Sequence, residues 1–396
     1  MKYDFETLAP RWGTDAPMWQ RLKADGIEDP DVVDMGVAEM KFLLAPCIRD
    51  AVAKQALEGT FGYDGADDRF KSAVCSWMQR RHSWTVEPEW ISQTYGLVPA
   101  IGYALRALTE PGDGVLVCFP SYGPFPRTVL SNDRKLLRSD LVLENGQYVM
   151  DWDDIDRKLA DDGTKAFILC NPHNPTGRVW TRQELEKLGD MCLKYGVVVI
   201  SDDIHFDLIY KPNRHTVFAS ISPELAANCV MLTAPSKTFN IAGMTISNVI
   251  VPDSEKRANM WRIMDRDMGH YINAFGLAAC RTAYEEGDEW LDEALTVLKG
   301  NTELLCSFFH ERLPMIKVNE QQGTYLCWAD FTGLGMTPDE LDAFMHKNAH
   351  FMSQGGGFFG EGYEKFHRIN VACPRSYLEK ALLRLEKAIT EAGKSC

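Results

Sequence analysis

Three polar side chains each follow a short apolar run of the sequence. Asn174 follows residues 166–170, Asp202 follows residues 197–201, and Lys237 follows residues 230–233. A desolvated lysine amine can attack a carbonyl carbon, a carboxylate can hold a proton on a neighbouring base, and an amide can donate a hydrogen bond. The pattern therefore predicts a reactive lysine that is supported by one carboxylate and one amide.

The apolar runs are typical of strands that are buried on both faces of a sheet. Further runs of this kind occupy residues 115–119 and 248–251, and amphipathic segments such as residues 181–195 alternate with them. Such alternation predicts an α/β fold with a mainly parallel sheet between helices. Ligands of such sheets lie beyond the carboxyl ends of the strands, so Asn174, Asp202 and Lys237 are expected at one edge.

The regular alternation of apolar runs and amphipathic segments ends towards the C-terminus, and this change suggests two domains. Residues 47–293 are predicted to form a large domain around the parallel sheet, and residues 294–396 a smaller α+β domain. Residues 1–46 are predicted to be an N-terminal arm that contributes to the smaller domain.

Composition excludes several classes of function. The 396 residues are 45% hydrophobic and carry a formal net charge of -14, so neither nucleic acid nor an anionic membrane surface is an expected partner. The sequence shows no signal peptide and no apolar run that could span a bilayer. Eleven scattered cysteines without a C-x-x-C pair favour reduced thiols over disulfides or a metal site. We therefore expect a cytosolic protein without a bound metal.

Four strings in the same order resemble one family of enzymes. They are Asn-Pro-His-Asn-Pro-Thr-Gly-Arg-Val-Trp, Ser-Asp-Asp-Ile-His, Ala-Pro-Ser-Lys-Thr-Phe-Asn and Asn-Val-Ala-Cys-Pro-Arg-Ser. Their order resembles that of fold-type I enzymes that use pyridoxal 5'-phosphate, with an aminotransferase-like fold. The strings themselves are similar to the cystathionine β-lyase and cystalysin-like branch of carbon–sulfur lyases.

This resemblance implies a role for each candidate residue around the cofactor ring. Lys237 would hold pyridoxal phosphate as a Schiff base, and Asp202 would keep the ring nitrogen protonated. Asn174 and His205 would contact the phenolic oxygen of the ring, and Tyr122 would stack on the ring. Asp203, next to Asp202, is expected to be structural.

The resemblance also places the phosphate and the substrate. The backbones of Gly96, Leu97 and Val98 precede a predicted helix and would bind the phosphate, with Ser236 as a hydroxyl donor. Arg368 would clamp the α-carboxylate of an amino-acid substrate with its two parallel donors, next to Asn174.

Three departures from the family pattern bear on assembly and substrate. Thr245 stands where many relatives have an arginine that neutralises the phosphate, so another group must balance that charge. Tyr63 resembles a tyrosine that reaches the phosphate from the neighbouring subunit, which implies a homodimer with shared active sites. Glu39 and Lys41 also depart from the family string, and this leaves the substrate open.

The reaction implied by the closest resemblance is cleavage of cystathionine or another S-substituted cysteine to a thiol, pyruvate and ammonia. An aminotransferase is the alternative, since both reactions need the same lysine, aspartate and arginine. An additional regulatory role through binding of a protein partner is a second alternative. Residues 355–360 match the dinucleotide pattern G-x-G-x-x-G, but the strand and helix that this pattern requires are not predicted around them.

Overall fold

The computed structural model describes residues 1–393 except residues 10, 12, 13, 25, 27–31 and 60. Its strands, numbered in chain order, are β1 (Val33–Asp34), β2 (Ile91–Thr94), β3 (Gly114–Phe119), β4 (Lys135–Asp140), β5 (Val142–Glu144), β6 (Gln147–Val149), β7 (Thr164–Cys170), β8 (Val198–Asp202), β9 (Cys229–Thr233), β10 (Ser247–Ile250), β11 (Lys317–Val318), β12 (Leu326–Asp330), β13 (Phe351–Met352), β14 (Gln354–Gly355) and β15 (Phe366–Asn370).

The helices surround these strands and are numbered in the same way. They are α1 (Pro17–Ala24), α2 (Pro46–Leu57), α3 (Asp68–His82), α4 (Leu97–Leu108), α5 (Pro124–Ser131), α6 (Trp152–Leu159), α7 (Arg182–Tyr195), α8 (Pro223–Ala227), α9 (Pro235–Thr238), α10 (Ser254–Arg266), α11 (Ala274–Glu286), α12 (Asp288–Arg312), α13 (Pro338–Ala343) and α14 (Arg375–Glu391). Within the described part of the chain, no helix combines the length and apolar character needed to cross a bilayer. The cytosolic location stays a prediction.

The main sheet confirms the predicted α/β architecture. Its strand order is β2-β10-β9-β8-β7-β3-β4, and the strands from β9 to β4 run parallel to one another. Strand β10 is antiparallel to both of its neighbours, β2 and β9. In the register of this sheet, Cys170 lies beside Asp202, and Asp202 lies beside Leu232. The carboxyl ends of β7, β8 and β9 therefore meet at one edge.

Helices cover both faces of the main sheet because apolar residues occupy both faces of each central strand. Val115 and Val117 of β3 pack into one buried cluster with α4 and α10. Leu116, between them in sequence, packs into the other cluster with α3 and α7. Alternation of side chains along a strand produces this division. Helix α7 begins with the predicted capping box, in which the Thr181 side chain and Glu184 exchange hydrogen bonds.

A smaller antiparallel sheet has the order β11-β12-β15-β14, with α12 and α14 packed together nearby. Residues of the N-terminal segment join this part of the molecule, because β1 pairs in parallel with β13. Helix α12 is continuous across residues 293 and 294, where the sequence suggested a domain boundary. The boundaries themselves remain predictions.

Candidate active site

A cavity opens at the carboxyl ends of β7, β8 and β9, with about 750 Å³ of space that includes some open solvent. Nine of the eleven candidate residues line this cavity: Gly96, Leu97, Val98, Tyr122, Asn174, Asp202, His205, Ser236 and Lys237. The topology explains the convergence, since parallel strands present their carboxyl ends at the same edge. Arg368 does not line the cavity but contacts the lining residue Asn174, and Tyr63 lies away from it.

Lys237 lies on the short helix α9, which begins directly after β9. Its Nζ donates a hydrogen bond of 2.7 Å to the backbone oxygen of Ala38. Burial and the nearby Arg368 guanidinium lower the pKa of Lys237 from 10.5 to about 8. An amine with this pKa is partly unprotonated near neutral pH, as a nucleophile or a base requires.

Asp202 is the last residue of β8, and its carboxylate is buried. Its Oδ1 accepts a hydrogen bond of 3.0 Å from the amide of Ile204. Burial raises the pKa of Asp202 to about 7, although Lys237 acts in the opposite direction. A cationic ligand group beside this carboxylate would favour its charged form.

Asp203 points to a different set of partners from those of Asp202. Its carboxylate accepts a hydrogen bond of 2.5 Å from the Ser201 hydroxyl and lies 3.1 Å from Nε2 of His215. All three residues are buried or nearly so, and none of them lines the cavity. Asp203 thus ties the end of β8 to the chain that follows it.

His205 and Asn174 line the cavity from two different loops. His205 is buried, and burial together with Lys237 lowers its pKa, so the ring is neutral. Its Nδ1 has no hydrogen-bond partner among the residues that the structure describes. Asn174 accepts a hydrogen bond through Oδ1 from Arg368, which leaves its amide nitrogen as a donor.

Helix α4 directs its N-terminus at the same cavity. Gly96 precedes the helix in an extended conformation, and Leu97 and Val98 form the first turn. The first amide groups of a helix lack partners within the helix and attract anions. Ser236 lines the cavity as well. These groups are suited to a phosphate.

Arg368 reaches the site from β15 in the smaller sheet. Its Nη1 donates to Oδ1 of Asn174 at 3.1 Å, and its Nη2 donates to the backbone oxygen of Gly36 at 3.0 Å. Burial lowers the pKa of Arg368 to about 10, so the group still carries its charge at neutral pH. A buried guanidinium next to the cavity can recognise a carboxylate.

Tyr63 is not brought to the cavity within a single chain. Its side chain is 96% exposed, and its ring lies 6.0 Å from that of Tyr271. Thr245, which stands in the place of the family arginine, does line the cavity. Its hydroxyl accepts a hydrogen bond of 3.1 Å from Asn273.

The side chain of Lys41 does not line the cavity. Its Nζ lies 2.7 Å from Oδ2 of the buried Asp34. The carboxylate of Glu39 lies 3.3 Å from Nη2 of Arg11. The two departures from the family string thus form ion pairs inside this chain.

A buried network that was not predicted from the sequence lies behind the site. Asp207 accepts hydrogen bonds from Nε1 of Trp77 at 3.0 Å and from the Thr238 hydroxyl at 2.7 Å, and it lies 2.7 Å from Nε2 of His82. Thr238 directly follows Lys237. An aspartate five residues after Asp202 could have been considered, but nothing in its spacing identifies Trp77 or His82 as its partners.

The residues around the cavity fit pyridoxal phosphate as a group. The partly unprotonated Lys237 can bind an aldehyde, the buried Asp202 can pair with a ring nitrogen, and the free Nδ1 of His205 needs a polar partner. The helix terminus at Gly96 suits the phosphate. The fit thus rests on the buried polar atoms and not on the motifs alone.

This fold and this cavity define a member of the aminotransferase class I and II family, whose sequence pattern matches residues 30–385. The chain is 40% identical over 388 residues to cystathionine beta-lyase PatB of Bacillus subtilis, covering 98% of this chain and 100% of PatB. It is 30% identical over 389 residues to the protein MalY of Escherichia coli, covering 98% and 99% of the two chains. The structure of cystalysin from Treponema denticola, which contains pyridoxal 5'-phosphate, superposes with a TM-score of 0.96 at 37% identity, over 99% of this chain and 100% of cystalysin.

Proposed function

We propose that this chain is a pyridoxal-phosphate-dependent carbon–sulfur β-lyase that acts on cystathionine or other S-substituted cysteines. The observation that carries the cofactor and the amino-acid substrate is a buried, partly unprotonated Lys237 that lines the cavity, with the buried guanidinium of Arg368 close to it. The choice of a lyase over an aminotransferase rests on the relatives, because both reactions use these two residues. PatB is named a cystathionine beta-lyase, which supports cleavage of a carbon–sulfur bond, and cystalysin contains the proposed cofactor.

The cofactor would be held by the groups that line the cavity. Lys237 would hold it covalently, Asp202 would pair with its ring nitrogen, and Asn174 and His205 would face its phenolic oxygen. Tyr122 would pack on the ring, and the phosphate would bind the backbone amides of residues 96–98 and the hydroxyl of Ser236. Bound pyridoxal phosphate supplies an electron-withdrawing ring that takes up the electron pair released when the Cα–H bond of the substrate breaks.

Arg368 orients the substrate for this bond breaking. Its two terminal nitrogens already contact Asn174 and Gly36, so its guanidinium plane is fixed before a substrate arrives. A carboxylate that binds to this fixed group is held by charge-assisted hydrogen bonds with a defined direction. The rest of the amino acid then extends towards Lys237.

Lys237 would perform the proton transfer as a free amine, after the amine of the substrate has taken its place on the cofactor. Its pKa of about 8 leaves a fraction of the amine unprotonated near neutral pH, so it can take the proton from Cα. Loss of the β-thiolate then follows, and addition of water gives pyruvate and ammonia. Overall, one S-substituted cysteine and one water yield one thiol, one pyruvate and one ammonia.

The decisive test is whether the carbon skeleton of the substrate is released as pyruvate. Purified protein loaded with cofactor is incubated with cystathionine without any 2-oxo acid, and pyruvate and thiol are measured. Equal amounts of both products support the lyase. If pyruvate is not formed and amino groups instead pass to an added 2-oxo acid, the protein is an aminotransferase.

The attachment of the cofactor is tested separately. Borohydride reduces a C=N bond between an amine and an aldehyde, so treatment of the loaded protein should leave pyridoxyl phosphate on Lys237. Mass spectrometry of the digested protein identifies the labelled lysine. Label on a different lysine would contradict the assignment.

We also propose that the active unit is a homodimer in which Tyr63 completes the site of the other chain. Tyr63 and its neighbours Leu57 and Phe61 are exposed apolar or aromatic residues in one stretch of the chain. Large exposed apolar patches usually mark a contact surface. A second copy would cover them and place the Tyr63 hydroxyl near the phosphate, where Thr245 offers no charge.

A further inference from the structure

Residues 36–40 form a segment, here called the active-site strap, that contacts both cationic groups of the site. The backbone oxygen of Ala38 accepts the 2.7 Å hydrogen bond from Nζ of Lys237. The backbone oxygen of Gly36 accepts the 3.0 Å hydrogen bond from Nη2 of Arg368. The path of this backbone therefore sets where the amine and the guanidinium find their acceptors.

Side chains from distant parts of the sequence hold the strap in place. Nδ2 of Asn370 donates to the backbone oxygens of Val37 and Glu39 at 2.6 Å and 2.7 Å. The side chain of Asn240 binds the backbone nitrogen and oxygen of Met40 at 2.7 Å and 2.8 Å. These contacts fix the middle of the strap and its C-terminal end.

A buried ion pair links the residues on the two sides of the strap. Nζ of Lys41 lies 2.7 Å from Oδ2 of Asp34, and these side chains are only 10% and 5% exposed. Oδ1 of the same Asp34 accepts a hydrogen bond of 3.2 Å from the amide of Gly36. The carboxylate of Asp34, two residues before the strap, thus pairs with Lys41 directly after it. The same carboxylate also binds the first strap residue, Gly36, whose oxygen contacts Arg368.

We propose that Asp34 and Lys41 are positioning residues for substrate recognition, and that they act through the strap on Arg368. The proposal rests on the proposed function in one respect, namely that Arg368 binds the α-carboxylate of an amino acid. Neither residue touches the cavity. Their ion pair holds Gly36 so that its oxygen directs the guanidinium towards Asn174 and the incoming carboxylate.

The experiment compares two small amines that differ by a carboxylate. The loaded protein is titrated with L-alanine and with ethylamine, and binding is followed by the change in the visible absorbance of the cofactor. L-Alanine has no β leaving group, so the readout does not depend on lyase activity. The ratio of the two dissociation constants isolates recognition of the carboxylate.

Lys41→Met removes one partner, and Asp34→Asn with Lys41→Met removes both charges while keeping an oxygen for the Gly36 amide. Loss of one partner of a buried ion pair leaves an uncompensated charge, whereas loss of both is better tolerated. A charge-assisted hydrogen bond to a carboxylate changes affinity by roughly tenfold or more. We therefore expect the dissociation constant of L-alanine to rise roughly tenfold in both variants and that of ethylamine to stay within about twofold.

Lys158→Met is the matched control, because it removes a lysine that pairs with Asp154 and does not line the cavity. It should leave the ratio unchanged. If the double variant binds L-alanine as the parent does, or if both amines weaken equally, the positioning role is refuted. Should Lys41→Met fail to fold, the double variant decides. A parent protein that makes no pyruvate would refute the lyase reaction, but the alanine to ethylamine ratio would still test the strap.

Discussion

The folded apoprotein keeps the Asp202 carboxyl protonated at pH values at which the same group is ionised in the unfolded chain. Burial raises its pKa from 3.8 to about 7. Between these values the unfolded state has lost the proton and the folded state keeps it, so folding stability falls as the pH rises and levels off above about 7. A buried carboxylate that serves a cofactor thus costs stability while the cofactor is absent.

Asp202→Asn should therefore stabilise the apoprotein and abolish its function. The shift corresponds to at most about 4 kcal/mol, and we expect a gain of about 1–2 kcal/mol near pH 8, because the amide keeps an oxygen for Ile204 but loses the attraction to Lys237. Urea unfolding of the apoprotein at about pH 4.5 and pH 8 measures the gain, which should be larger at the higher pH. The exposed Asp162→Asn is the control. If Asp202→Asn increases the free energy of unfolding equally at both pH values, the pKa of Asp202 is not raised in the folded apoprotein.

In the proposed function, recognition of amino acids depends on Arg368. Charge-assisted hydrogen bonds to a carboxylate contribute about 1.5–3 kcal/mol, so Arg368→Ala should weaken amino-acid substrates at least about tenfold. The cofactor should stay attached and keep its visible absorbance, because Lys237 is still present to hold it. Steady-state kinetics and a spectrum of each protein provide the measurement. Unchanged kinetics in the variant would remove Arg368 from the site.

At the scale of elements, Asp207 joins three parts of the chain. It follows β8, and it binds Trp77 and His82 of α3 and Thr238 of α9. Because Thr238 is adjacent to Lys237, this network fixes the helix that carries the reactive amine. Removal of the carboxylate would leave three buried polar groups without their acceptor.

Asp207→Ala should destabilise the apoprotein by about 3–5 kcal/mol, as loss of one partner from a buried charged network does. Asp207→Asn keeps one acceptor and should cost less. Chemical denaturation of the two variants, next to the exposed Asp162→Ala as a control, gives the comparison. A cost below about 1 kcal/mol for Asp207→Ala would show that water replaces the network.

The sequence predicted five of the seven strands of the main sheet and the site residues at their carboxyl ends. It did not predict the outer strands β2 and β4 or the strap contacts. Apolar strands have a period and a composition that can be recognised in isolation. Asn174, Asp202 and Lys237 follow such strands, so topology alone brings them together. The acceptor for Lys237 is instead a backbone oxygen 199 positions away, at Ala38. Every residue has such an oxygen, so no residue type marks this contact, and only the path of the folded chain creates it.

At the scale of the whole molecule, two features motivate the proposed dimer. The cavity has a helix terminus and a hydroxyl for a phosphate, and the position after α9 that many relatives give to an arginine holds Thr245. Tyr63 is almost fully exposed and does not line its own cavity. A dimer in which each chain lends Tyr63 to the other would account for both features.

Complementation between two inactive or weakened variants tests this arrangement. Lys237→Ala alone should be nearly inactive, and Tyr63→Phe alone should loosen the cofactor, since a hydrogen bond to a charged phosphate contributes about 1.5–3 kcal/mol. In a mixed dimer with shared sites, one site combines an intact Lys237 from one chain with an intact Tyr63 from the other. Activity at limiting cofactor should then rise after the two proteins are unfolded and refolded together. If Tyr63 serves its own chain, every site carries one of the two substitutions, and mixed dimers that are shown to form will recover nothing.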